Sequence, residues 1–176
     1  MIGQQIVTVL AVVVGAAMSF LGTFTIERHR RKADRSRRWS ELQLQAYSKH
    51  LVNAQRVVAI VRTMVLGGVP TVEDSRRLQK ELEDAHMERN ISVECVRLLA
   101  TPAIVEAAYL LNRSVWQLQD FARGELAWDE QVWRQRYENF GACLFEFEKA
   151  IRAELRIPGE IPYPPRPPEW FFRRRT

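Results

Sequence analysis

Cysteine is nearly absent from this 176-residue chain: Cys95 and Cys143 are the only two. Two distant thiols exclude a cysteine-rich zinc module and a disulfide framework, which leaves them as small apolar side chains. Histidine is scarce, with three residues, and lysine is outnumbered by arginine, 4 to 22. No zincin motif, nucleophile elbow or phosphate-binding loop is present; Gly67-Gly68-Val69-Pro70 lacks the lysine a phosphate loop requires. Basic charge is also missing from the body of the chain. The formal net charge is +5, yet residues 39–155 carry −3, while 27–38 contribute +5 and 156–176 contribute +3. A nucleic-acid-binding domain would carry a basic stripe on the fold itself, so nucleic acid is excluded as a partner.

Charge is wholly absent from Ile6–Ile26, IVTVLAVVVGAAMSFLGTFTI. At ~1.5 Å per helical residue this run just spans a ~30 Å hydrocarbon core. Basic residues crowd its C-terminal side alone: Arg28, Arg30, Arg31, Lys32, Arg35, Arg37 and Arg38. The positive-inside bias therefore predicts a single-pass cell-membrane protein, its N-terminus outside and its C-terminal domain cytoplasmic. The uncharged n-region and the long apolar run argue against a cleaved signal peptide. Gly15, Ser19 and Thr23 recur every four residues, a small-residue face that predicts self-association of the span as a homodimer. The collar would also contact the anionic inner leaflet, at ~1 kcal/mol per basic residue.

Helical periodicity dominates the chain beyond the collar. Leu44, Tyr47, Leu51, Ala54, Val58, Val61 and Val65 form one apolar stripe, which Gly67-Gly68 ends. Thr71 is a predicted N-cap, with Glu73 and Asp74 in the first turn of a second helix reaching about Ala100. Its stripe begins at Leu78, Leu82 and Ala85, fails across His86–Asn90, and resumes at Ile91, Cys95 and Leu98. A kink, a change of packing face or a short interruption would each produce that break. Thr101-Pro102 opens a third helix carrying Ile104, Ala108, Leu111, Val115, Leu118 and Ala122, ended by Arg123-Gly124. A fourth begins near Trp128-Asp129-Glu130 and presents Trp133, Tyr137, Phe140, Leu144, Phe147, Ile151 and Leu155. Four amphipathic helices with short connections predict an antiparallel up-down-up-down bundle.

Trp39-x4-Leu44-x-Ala46-Tyr47, Leu98-Leu99-x-Thr101-Pro102-x2-Val105 and Phe147-x4-Arg152-x-Glu154-Leu155 carry a resemblance. At these positions the chain resembles small membrane-anchored proteins of high-GC Gram-positive bacteria. The resemblance implies a helical cytoplasmic domain and brings no activity with it.

The expected organisation is all-α: 1–26 a transmembrane anchor, 27–38 a basic juxtamembrane collar, 39–157 a helical bundle, and 158–176 a Pro-rich tail. Glu83-x-x-His86 has di-iron bundle spacing, but no second such pair and no carboxylates on the other stripes accompany it, so no metal or cofactor is expected. In the tail, five prolines between Pro162 and Pro168 force an extended path. It ends in Trp170, Phe171 and Phe172 followed by Arg173, Arg174 and Arg175, side chains suited to a headgroup interface and an anionic leaflet. The tail is therefore expected to dock on the membrane, or else to pack its aromatics on the bundle. With no catalytic motif, the expected role is a non-enzymatic membrane-tethered interaction or scaffold protein bound to a further protein partner. The alternative is a ligand sensor or enzyme using a pocket in the bundle, which converging polar side chains inside the bundle would favour.

Overall fold

Each helix starts and stops where local chemistry dictates. The computed structural model describes residues 37–68 and 71–173. Two compact units divide the chain, Met1–Leu42 and Gln43–Thr176. Of the first, residues 37–42 are described; they begin helix α1 (37–66), and Arg37 pairs with Glu41 one turn on at 3.6 Å. The expected span with Gly15, Ser19 and Thr23 lies outside the described residues, as do Arg28, Arg30, Arg31, Lys32, Arg35, Arg174 and Arg175. No helix among the described residues is long and apolar enough to cross a membrane.

The second unit is all-helical among its described residues. After the rest of α1 come α2 (Val72–Leu99), α3 (Pro102–Ala122) and α4 (Glu130–Glu154), then a short 3-10 turn, Glu169–Phe172. α1 ends at Gly67, where any Cβ would collide with the Thr63 carbonyl, and Gly68 takes φ +87°, a left-handed conformation that glycine adopts without strain. Thr71 caps α2 by accepting from the Asp74 N–H at 3.1 Å, and Asp129 caps α4 by accepting from Val132 N–H at 3.0 Å. Thr101 makes no such cap. Its N–H donates 3.3 Å to Glu154 at the far end of α4, and its hydroxyl bonds the same carboxylate oxygen. The other oxygen of Glu154 accepts from Gln43 at 2.9 Å and from the Tyr47 phenol at 2.8 Å. One carboxylate thus ties together α1, the α2–α3 connection and the end of α4.

Successive helices run antiparallel. Residues 50, 53 and 56 of α1 meet 92, 88 and 88 of α2, and Gln117, Asp120 and Phe121 of α3 meet Arg136 and Trp133 of α4. The predicted stripes are the core: Tyr47, Ala54, Val58 and Val61 in α1 are buried, as are Ile104, Leu111, Val115 and Leu118 in α3, and Trp133, Phe140 and Phe147 in α4. Leu44 departs from its stripe and is exposed.

α2 is unbroken through His86–Asn90. Its buried positions, Leu82, Ala85, Arg89, Ser92 and Val96, keep three-four spacing throughout. The apolar pattern fails because the inward position in mid-helix is an arginine. The residues expected to resume the stripe lie elsewhere: Ile91 and Leu98 are exposed and Cys95 is half-buried.

After α4 the tail turns back on itself, and two of its three terminal aromatics, Phe171 and Phe172, pack on the bundle. Arg156 at φ 53° and Gly159 at φ 89° reverse the chain, and Arg152 donates to the Pro158 carbonyl at 2.6 Å to hold the turn. The proline segment then runs back along α4: Tyr163 meets Phe145, Arg166 meets Glu138, and Glu169 meets Arg134. Phe172 is 1% exposed. Phe171 lies 5.1 Å from the Tyr137 ring, with the Arg62 guanidinium 3.6 Å over its face. Phe172 is thus buried and Phe171 half-buried, whereas Tyr163, Arg166, Glu169, Arg173 and Trp170, the last 68% exposed, face outward.

Candidate functional site

A polar layer crosses the middle of the bundle where dry apolar stripes were expected. His50 and Asn53 of α1, Arg89 and Ser92 of α2, and Ser114 and Gln119 of α3 are all buried. Helical spacing puts His50 and Asn53 beside Tyr47, Ala54 and Val57 on the inner face of α1. His50 Nδ1 lies 3.0 Å from Ser92 Oγ, and Ser92 donates 2.7 Å to the Arg89 carbonyl. His50 Nε2 has no hydrogen-bond partner among the described residues. The ring stands edge-on to Phe147 at 5.5 Å. Burial, and then the charge of Arg89, push its pKa down to about 4 from the usual 6.5. His50 is therefore neutral near pH 7.

Arg89 is the unusual member. It is fully buried, yet it makes no ion pair among the described residues, and its Nε and Nη1 have no hydrogen-bond partner. Buried charge is ordinarily paired, because desolvation otherwise penalises it heavily. Its Nη2 meets His86 Nδ1 at 3.2 Å, and its guanidinium lies 5.8 Å from the Trp116 ring centre. Gln119 Nε2 approaches the same histidine nitrogen at 3.5 Å, while Gln119 Oε1 is buried without a partner. Two donors converging on Nδ1 fix His86 as a neutral acceptor. Burial first, then the charges of Arg89 and Arg123, lower its pKa. Burial and the neighbouring Arg123 likewise bring Arg89 down to about 10, still protonated at neutral pH.

His86 and Gln119 open onto a groove between α2 and α3 of about 650 Å³. Met64, Leu82, Met87 and Ala122 form apolar walls, Arg123 and Asn90 stand on it, and Glu83 is its one acid. A second groove, about 660 Å³ and mostly apolar, lies between α1, α4 and the proline segment, and includes Arg62, Tyr137, Phe140, Leu144, Pro165 and Phe171.

Of the residues read from the sequence as lipid-contacting, Arg37, Arg38, Trp170 and Arg173 are exposed, whereas Phe171 is half-buried and Phe172 buried. Glu83 is exposed and His86 half-buried, and no group of three or more His, Cys, Asp or Glu could hold a metal among the described residues. The sequence reading missed Arg89 and Gln119. The failed stripe at His86–Asn90 was the signal for the first; nothing marked Gln119, one residue beyond Leu118. Comparison with protein-family models, with curated proteins and with solved structures returns no match.

Proposed function

We propose that the chain is a membrane-tethered, non-enzymatic interaction module: a single-pass anchor at Ile6–Ile26, an anionic-leaflet contact through the collar, and a cytoplasmic helical bundle that binds a protein partner. The observation that supports it is a second apolar stripe, on the outward face of α2. Met87, Ile91 and Leu98 are 64%, 55% and 78% exposed, and Val52 and Leu44 on α1 are exposed as well. Large apolar side chains recurring on one solvent-facing helix face mark a contact surface rather than a core. Self-association through Gly15, Ser19 and Thr23 would present two such surfaces side by side on one membrane.

Two measurements test this reading. For the tether, Gly3→Cys in intact cells is expected to react with a membrane-impermeant maleimide. Cys95 and Cys143 are expected to react only after permeabilisation; labelling of the native thiols in intact cells would place the bundle on the other side. For the interaction, a photo-crosslinking residue at Ile91 of the membrane-embedded chain is expected to give one discrete adduct. Leu98→Glu should abolish the adduct while changing stability by no more than about 0.5 kcal/mol, since it alters an exposed site. A smear of products indifferent to Leu98→Glu would sink the surface.

A second reading, the ligand sensor, is favoured by the unpaired guanidinium of Arg89 inside the bundle.

A further inference from the structure

Behind the α2–α3 groove, covered by His86, lies a guanidinium with no acidic partner among the described residues. Arg89 is buried with two nitrogens unpartnered, Arg123 stands close enough to perturb both Arg89 and His86, and the groove offers only Glu83 in return. Among the described residues the acceptor supplied to Arg89 Nη2 is a neutral imidazole nitrogen, on which a Gln119 amide also converges. His86 Nδ1 thus holds the place that an anionic oxygen would fill better, between a guanidinium and an amide donor. Its ring lies 6.2 Å from Trp116, and it is half-buried on the groove wall, the side chain that stands between Arg89 and the groove. The volume matches that of sites for small organic molecules, roughly 300–1,000 Å³. Beside the cations the walls are apolar.

We propose that this groove binds a phosphate group carried on an apolar body, with Arg89 and Arg123 as its two charge partners and Gln119 as a neutral donor, His86 giving way to the phosphate. Two guanidiniums suit a dianion better than a monoanionic head, and Met64, Leu82 and Met87 receive the apolar part. This site deepens the ligand-sensor reading. It shares Met87 with the outward stripe of α2 but needs no protein partner there, so failure of the Ile91 adduct leaves it standing.

The test uses the full chain in uncharged maltoside micelles, with octyl phosphate as the probe followed by titration calorimetry and by the side-chain Nε–H resonances of ¹⁵N-labelled arginine. Octyl phosphate is expected to bind saturably, one per chain, and to shift one buried arginine resonance that Arg89→Met removes. Octanol should give no saturable heat. Arg123→Gln, at an exposed position, is expected to weaken binding about tenfold, the worth of one charge-assisted hydrogen bond. Arg89→Met should abolish binding; if that variant fails to fold, Arg123→Gln and the arginine resonances still decide. Displacement by phosphatidic acid would identify a lipid headgroup as the source, and displacement by inorganic phosphate a free phosphate; either upholds the site. Absence of saturable binding, or binding that Arg123→Gln leaves unchanged, would overturn it.

Discussion

Phe172→Ala is expected to lower the unfolding free energy of the bundle by about 3 kcal/mol, the cost of emptying a fully enclosed phenylalanine site. Phe172 is 1% exposed and stands edge-on to Tyr137 at 5.7 Å, with Phe171 at 5.4 Å. Those rings continue through Tyr137 and Trp133 to Phe121, so the tail closes an aromatic column built by α3 and α4. The ion pairs beside it, Arg134 with Glu169 and Arg166 with Glu138, are solvent-screened and set the register of the strap more than its strength. Trp170→Ala is the matched control. At 68% exposure its loss should change stability by no more than about 0.5 kcal/mol, although it neighbours Phe171. Urea unfolding of the two variants in neutral detergent, followed by hydrogen exchange across 158–173, separates the outcomes. Equal effects would mean that the tail is not part of the folded unit. A large effect of Phe172→Ala with exchange protection lost along the strap would show that the prolines are held by the aromatic residues beyond them.

Helix positions were legible in the sequence because each boundary rests on local chemistry. Gly67-Gly68, Thr71, Pro102, Gly124 and Asp129 act within a few residues of themselves, and three-four periodicity needs no knowledge of the partner helix. The polar layer was only half legible. A stripe interrupted by His-Met-Glu-Arg-Asn shows that something other than apolar packing happens there, but helical spacing alone cannot decide that Arg89 points inward unpaired. That outcome depends on what α1 and α3 supply at the same level, namely His50, Gln119 and Trp116 in place of a carboxylate. The tail was illegible for a different reason. Proline sets an extended backbone but not its direction, and the reversal lies in Arg156, a non-glycine residue at φ 53° that no composition rule would single out. Aromatic residues beside arginines suit a membrane interface and a protein surface equally. The deciding feature was an apolar recess against α4 and α1, between Tyr137 and Arg62, that only the folded bundle displays.

Acid should weaken the bundle through His50 before it touches most carboxylates. The group is enclosed on every side: Ser92 and Arg89 from α2, Phe147 from α4 and the Ala108 backbone from α3. With its folded pKa depressed to about 4 from 6.5, the unfolded chain takes up the proton first as pH falls. Stability from the neutral, buried imidazole is therefore complete above about pH 6.5, is lost between there and about pH 4, and changes no further below. A shift of that size corresponds to roughly 3 kcal/mol. His50→Gln keeps a polar side chain near Ser92 but cannot titrate, so the wild type's stability relative to it should fall by up to roughly 3 kcal/mol as pH drops from 6.5 to 4. The half-buried His86, whose pKa is also lowered, contributes with the same sign in both proteins and cancels from the comparison. Urea midpoints of the two proteins, measured at half-unit intervals from pH 7.5 to 4, give the difference directly. Parallel profiles would show that His50 is not held neutral by its burial, and that the charge of Arg89 is compensated within the bundle after all.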